Sequence, residues 1–99
     1  MVAGMEQELN RILHQPIRTR IMALLVARGS CDYNTLKKEF NLSDGHMTTH
    51  MRELIEHHYV EVEKTFVDNK PRTTYYLTQT GRDAFAGYVR SLKHIMMLE

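Results

Sequence analysis

Apolar residues recur at helical spacing in the first third of the chain. One stripe predicts a helix that begins at Pro16, where proline is well tolerated, and runs to about Arg28, where Gly29 ends it. This stripe consists of Ile17, Ile21, Leu24 and Leu25. A shorter stripe predicts a first short helix that residues 14–15 end, and it consists of Leu9, Ile12 and Leu13.

The pattern in the middle of the chain predicts a helix with two opposite faces. Ser43 is a good N-cap for this helix, which runs to about His57, and a shorter helix capped by Asn34 precedes it. The residues expected to pack against the domain are Met47, Met51, Leu54 and Ile55. The residues on the opposite, polar face are His46, Thr48, Thr49 and Arg52.

The period of the apolar positions changes to two at Val60, which predicts a strand with Val60, Val62 and Phe66 facing inward. Residues 68–71 form the predicted turn of a hairpin, and residues 73–77 return as its second strand. Residues 30–32 predict another short strand. Thr78 caps a last helix with a long apolar stripe, which consists of Phe85, Tyr88, Val89, Leu92, Ile95 and Met96.

Helix, turn, helix and hairpin thus follow one another without interruption, which is the order of a winged helix-turn-helix. The predicted fold is mainly α with a small β-hairpin. A length of 99 residues, with 42% hydrophobic and 25% charged residues, predicts one globular domain over residues 1–99. Within it we place the helix-turn-helix at about 34–57, the wing at about 60–77 and the C-terminal helix at about 78–98.

Charge and cysteine content narrow the classes of function. A net charge of +1 is weak support for a nucleic-acid partner, although the basic residues concentrate on the helices before Ser43 and on the hairpin. A single cysteine, Cys31, allows no internal disulfide and no multi-thiolate metal site. The longest apolar run, residues 21–27, is too short to cross a membrane. We therefore expect a cytoplasmic protein with no metal and no cofactor.

The polar face of the central helix suits duplex DNA. The major groove admits one α-helix, and short polar side chains with an arginine can contact the base edges there. Ser43 and the free amides at the helix start can bind a phosphate, while His46, Thr48, Thr49 and Arg52 can contact bases or the flanking backbone. The basic residues expected to contact DNA are Lys37, Lys38, Lys70 and Arg72.

Three segments resemble the winged-helix transcriptional regulators of the MarR and ArsR type, especially their short single-domain members. These segments are residues 15–21 (QPIRTRI), 42–54 (LSDGHMTTHMREL) and 71–82 (PRTTYYLTQTGR). The resemblance implies a homodimer formed by the first and last helices, with two recognition helices in successive major grooves of a roughly palindromic site. MarR-type regulators often bind small aromatic effectors, but no residue of this sequence identifies such a ligand. ArsR-type metal sensors carry paired cysteines on the DNA-binding helix. Residues 30–32 resemble that region but contain only Cys31, so the usual metal site is absent.

The apolar stripes agree with the implied dimer, because they would stay partly exposed on a monomer. The expected interface residues are Leu9, Ile12, Leu13, Tyr88, Leu92, Ile95 and Met96. The alternative is that both stripes close on their own core.

Two other classes of function compete with a DNA-binding regulator. An enzyme is the poorest interpretation, because the chain has no nucleophile triad, no paired buried carboxylates and no phosphate-cradling glycine loop. The stronger rival is a winged helix used as a protein-interaction module, which the near-neutral charge slightly favours. Loss of duplex binding in Arg52→Ala and Lys70→Ala, with the fold intact, would favour DNA.

Overall fold

A computed structural model describes residues 9–97 of the chain. Its helices are α1 (Pro16–Arg28), α2 (Tyr33–Glu39), α3 (Asp44–Glu56) and α4 (Gln79–Met96). Its strands are β1 (Ser30–Asp32), β2 (Val60–Val67) and β3 (Lys70–Leu77). This order confirms the predicted winged helix-turn-helix, with α2 and α3 as the helix-turn-helix and the β2–β3 hairpin as the wing. The predicted end of the last helix, at about residue 98, lies outside the described residues.

The three strands form one antiparallel sheet in the order β1-β3-β2. Asp68 and Asn69 alone make the hairpin turn, with φ of 53° and 65°. Both angles lie in the left-handed region, which Asp and Asn tolerate and which suits the twist of a two-residue hairpin loop. The predicted four-residue turn was therefore too long, since Lys70 and Pro71 already belong to β3 and pair with Val67 and Phe66.

The hydrophobic core lies where α1, α2 and α3 meet the base of the sheet. Side chains from each of these elements are fully buried there: Ile21, Met22, Leu25, Leu36, Met47, Leu54 and Val60. Burial of such side chains supplies most of the free energy that favours the fold. The predicted inner face of α3 is thereby confirmed, and Cys31 is buried in β1.

Side-chain caps fix where the helices begin. The Ser43 hydroxyl accepts the His46 amide at 3.2 Å, and the Thr78 hydroxyl accepts the Gly81 amide at 2.8 Å, as predicted. The cap of α2 is Asp32, whose carboxylate accepts the Thr35 amide at 3.2 Å. Asn34 was predicted as the N-cap of this helix, and the prediction was wrong by two residues, because the chain passes directly from β1 into α2.

The predicted first helix does not continue over residues 9–15, where the described chain forms turns. The Asn10 side-chain oxygen accepts the amides of Ile12 at 2.9 Å and Leu13 at 3.1 Å, and the Asn10 carbonyl accepts the His14 amide at 2.8 Å, so these residues make a single capped turn. Pro16 then disfavours a helical conformation for Gln15, which is extended. Residues 1–8, which precede the predicted apolar stripe, lie outside the described residues.

Leu13 and Tyr88 are buried within the domain, which contradicts the expectation that they stay exposed on a monomer. Leu13 packs in the core, and the Tyr88 hydroxyl lies 2.9 Å from His14 Nδ1. Two predicted inward positions of the wing are also wrong, because Val62 is 41% exposed and Phe66 is 76% exposed. Val62 borders an open groove beside α3 instead of packing against that helix, and Phe66 lies farther out, close to the turn.

Candidate nucleic-acid interface

The polar face of α3 is open to solvent. His46, Thr48, Thr49 and Arg52 are all exposed, whereas Met47 and its neighbours on the opposite face are buried. This division follows from the helical period, which places residues three and four apart on one side. The structure therefore brings together, on one accessible surface, the four residues predicted to contact bases or the flanking backbone.

The hydroxyls of Thr48 and Thr49 have fixed directions. Each donates to the backbone carbonyl four residues earlier, Thr48 to Asp44 at 2.9 Å and Thr49 to Gly45 at 3.0 Å. A hydroxyl whose proton is used in this way can still accept a hydrogen bond through its lone pairs. These two threonines thus offer acceptors for base amino groups and methyl groups for thymine.

The start of α3 contains an acidic residue held by two neighbours from α2. Lys37 Nζ lies 2.8 Å from Asp44 Oδ1, and the Tyr33 hydroxyl donates to the same oxygen. Hydrogen bonding by Lys37, and then by Tyr33, holds the pKa of Asp44 below its ordinary value. The bond to Asp44 raises the pKa of Tyr33 to about 12. Asp44 therefore offsets part of the positive charge that Lys37 brings to the helix start.

His50 is a residue of α3 that sequence reasoning did not place in the site. It is half-buried, and its Nδ1 lies 3.2 Å from Arg18 Nη1 of α1. Burial lowers the pKa of His50, and the charges of Arg18 and His46 lower it further. The sequence signal that could have placed His50 in the site is its spacing of four residues from His46, which puts both imidazoles on the same side of the helix.

The wing contributes a cation that faces α3. An open groove of about 480 Å³ separates the hairpin from the helix. Its lining includes Thr48, Arg52, Val62, Lys64 and Thr73. Lys64 was not among the predicted DNA contacts, although it lies two residues from Val62 and so shares its face of the strand.

Lys70 and Arg72, the predicted wing contacts, lie on the other face of the hairpin. They pair with Val67 and Thr65, which alternate with the groove-lining positions. The hydrogen bond from the Thr35 hydroxyl is the main cause of the lowered pKa of Asp32, and the charge of Arg72 lowers it slightly further. Both faces of the wing tip are thus basic.

Lys38 is exposed at the end of α2, next to Lys37. Glu61 and Glu63 lie at the opposite end of the wing, near the body of the domain, and Glu63 accepts the Tyr76 hydroxyl at 2.9 Å. Three basic side chains, Lys64, Lys70 and Arg72, thus outnumber Asp68 in the outer part of the hairpin, and the two glutamates lie nearer its base.

Two further features bear on the sequence-based expectations. Among residues 9–97, no group of three or more His, Cys, Asp or Glu side chains is placed to hold a metal ion. The helices described over the same residues are all too short or too polar to cross a membrane.

Comparison with known proteins identifies the family of the chain. The family described as a winged helix DNA-binding domain matches residues 17–96, which include every helix and strand of the structure except the first residue of α1. The chain belongs to this family.

A sequence relative and several solved structures agree with the assignment of this chain to the winged-helix family. An uncharacterized protein of Methanocaldococcus jannaschii is 34% identical over 79 residues, covering 80% of this chain and 86% of the relative. A transcriptional regulator homologue from Pyrococcus horikoshii OT3 superposes with a TM-score of 0.86 at 28% identity, covering 97% of this chain and 95% of the homologue. The predicted resemblance to winged-helix transcriptional regulators is confirmed.

A MepR-like protein complexed with pseudoligands has the same fold, with a TM-score of 0.71 at 21% identity. The alignment covers 98% of this chain and 74% of that protein.

Proposed function

We propose that this winged-helix protein regulates transcription by binding specific duplex DNA sequences as a homodimer. The observation that carries the proposal is the exposed polar face of α3, which stands beside a basic wing in a domain of a DNA-binding family. A helix presented in this way fits the major groove, and the hairpin then lies over the adjacent backbone or minor groove.

The proposed contacts divide into two groups. His46, Thr48, Thr49 and Arg52 contact base edges and supply the sequence preference. The remaining contacts bind phosphates and are sensitive to salt: they are Ser43, Lys37, Lys38, Lys64, Lys70 and Arg72. Lys64 is added to the predicted set because it faces Arg52 across the groove.

The second half of α4 supports the homodimer. Tyr88 belongs to the core, but Leu92 and Ile95 are only half-buried and Met96 is 69% exposed. Leu9 and Ile12 are half-buried as well. Apolar side chains left open on one stretch of helix favour a partner of the same kind, and a two-fold interface would present two α3 helices to one duplex.

We propose further that the protein acts in the cytoplasm as a binding protein rather than an enzyme. A small-molecule effector that entered the groove between α3 and the wing would block Arg52 and Lys64 and so weaken DNA binding. Titration of the protein–DNA complex with small aromatic acids, followed by fluorescence anisotropy, tests this regulation directly.

Selection from a random duplex library at near-physiological salt tests the main proposal. Arg52→Ala should lose the selected motif, and Arg82→Ala, which removes an exposed arginine from α4, is the matched control. A two-fold symmetric motif with half-sites about one helical turn apart would support a dimeric regulator. A single half-site would contradict the homodimer, and no enrichment would favour the protein-interaction module.

A further inference from the structure

The wing tip carries an unusual exposed aromatic side chain. Phe66 is 76% exposed, although phenylalanine is among the residues most often buried. It pairs across the hairpin with Pro71, so the two rings share one face close to the turn at Asp68 and Asn69. Nothing in the described domain covers this pair, so the fold itself does not explain it.

The face that carries Phe66 is the face that looks toward the recognition helix. Side chains alternate along a strand, so Val62, Lys64 and Phe66 point to the same side of β2. Val62 and Lys64 line the groove beside α3 together with Arg52. Phe66 therefore continues the proposed DNA-binding surface outward from Arg52 to the end of the wing.

The charges around Phe66 select the kind of partner. Lys64 lies two residues before it, and Lys70 and Arg72 flank Pro71 on the opposite strand; Asp68 in the turn offsets one of these charges, so the tip keeps a net positive charge. A second copy of the same basic tip would be repelled, whereas a polyanion is attracted from both faces of the hairpin. The minor groove combines phosphates at its edges with apolar deoxyribose walls, so it accommodates cations around an apolar ring.

We propose that Phe66, supported by Pro71, is an apolar wedge that packs against the deoxyribose walls of the DNA minor groove beside each α3 contact. This assignment rests on the proposed function. The ring adds affinity through burial of apolar surface, so its contribution does not depend on salt. The flanking lysines hold the wing on the phosphates while the ring is inserted.

Phe66→Ala tests the wedge on the full-length chain, and Val67→Ala is the matched control. Val67 is the next residue, is 41% exposed and points to the other face. Fluorescence anisotropy with a selected duplex should show about tenfold weaker binding for Phe66→Ala, with the same slope of affinity against salt as the wild type. Lys64→Ala should instead reduce that slope by about one. Thermal unfolding of Phe66→Ala should match the wild type, because the ring has no covering neighbour.

Hydroxyl-radical footprinting locates the contact, because the radicals attack deoxyribose in the minor groove. Wild type and Val67→Ala should protect sugars beside each half-site, and Phe66→Ala should lose that protection while it keeps the contacts of α3. Equal affinity and equal footprints for Phe66→Ala and wild type would overturn the wedge without affecting the proposed function. A shift of Phe66→Ala from dimer to monomer in sedimentation would also overturn it. Failure of the wild type itself to bind any duplex would contradict the proposed function.

Discussion

Arg18 and His50 join α1 to α3. Arg18 Nε donates to the Ile12 carbonyl at 2.6 Å, and Arg18 Nη1 lies 3.2 Å from His50 Nδ1. Because a guanidinium can only donate, the imidazole must accept, which requires neutral His50 with its proton on Nε2. The lowered pKa of His50 agrees with this arrangement, in which a neutral histidine helps to hold α3 against α1.

We expect stability to fall on acidification because of His50. Its pKa in the folded state lies below the ordinary value of 6.5, so between these two values the unfolded chain binds more protons than the folded chain. The contribution of His50 to the free energy of unfolding is therefore complete above pH 6.5, and it is lost as the pH falls through the pKa of the folded state. Urea denaturation at about pH 8 and about pH 5 measures the difference.

His50→Asn keeps an acceptor for Arg18 but cannot titrate. The free energy of unfolding of this variant should fall less on acidification than that of the wild type. Arg18→Met removes one of the charges that lower the pKa of His50, so its loss on acidification should also be smaller. Identical pH dependence in wild type and His50→Asn would show that His50 does not control this effect.

Gly81 should not tolerate a side chain. A Cβ at this position would lie 2.2 Å from the carbonyl oxygen of Tyr59, because the first turn of α4 packs directly on the chain before β2. We expect Gly81→Ala to reduce the free energy of unfolding by about 2 kcal/mol or more. The urea midpoint measures this loss.

Gly87→Ala is the matched control on the same helix. The nearest atom to its added Cβ is Arg90 Nη2 at 3.6 Å, on a flexible side chain. The higher helix propensity of alanine should then raise stability by up to about 1 kcal/mol. Equal effects of the two substitutions would rule out the close contact at Tyr59.

Most of the fold followed from local signals in the sequence. The period of the apolar residues located α1, α3 and α4, and Ser43 and Thr78 marked two helix starts through chemistry confined to one turn. Asp32 was missed because its capping role depends on the strand before it. The ends of α2 and α3 use Asn41 and His58 at positive φ, and histidine is a weak signal for such a position.

The candidate site was predictable where it lies on one helix. The polar face of α3 depends only on the helical period, so its four residues were found together. The wing was less predictable, because alternation assigns residues to two faces without showing which face is covered. Val62 and Phe66 were therefore placed inward, and Lys64 was overlooked. Leu13 and Tyr88 were misplaced for a related reason, since a stripe does not show which of its residues the domain itself buries.

Ser43 should contribute to stability and to DNA binding separately. Its hydroxyl caps α3 through the His46 amide, so Ser43→Ala should cost about 1 kcal/mol of stability. Ser43→Asp preserves a capping oxygen but brings a negative charge to the proposed phosphate site. We expect Ser43→Asp to remain more stable than Ser43→Ala and yet to bind duplex DNA more weakly. Ser43→Thr, which keeps the hydroxyl, should retain both properties, and undiminished DNA binding by Ser43→Asp would exclude a phosphate at this position.

Asp44 should restrain DNA affinity. It accepts Lys37 at 2.8 Å, and its own charge faces the phosphates in the proposed complex. Asp44→Asn removes that charge and releases Lys37, so binding to all duplexes should strengthen by a few-fold and become more sensitive to salt. Anisotropy titrations at several salt concentrations measure both changes. Asp83→Asn makes the same change in net charge on α4 and should have little effect; a comparable gain there would point to net charge alone.

The exposed end of α4 should determine the oligomeric state. Met96 is 69% exposed and lies on the same side of the helix as Leu92 and Ile95, whereas His94 lies on the opposite side. A carboxylate at Met96 would have to be desolvated in the proposed interface, so Met96→Asp should shift the protein to monomer in analytical ultracentrifugation. His94→Asp adds the same group away from the stripe and should remain dimeric. Because a monomer holds only one α3, Met96→Asp should also lose the preference for a two-fold site over an isolated half-site. A dimer that survives Met96→Asp would place the interface elsewhere on the domain.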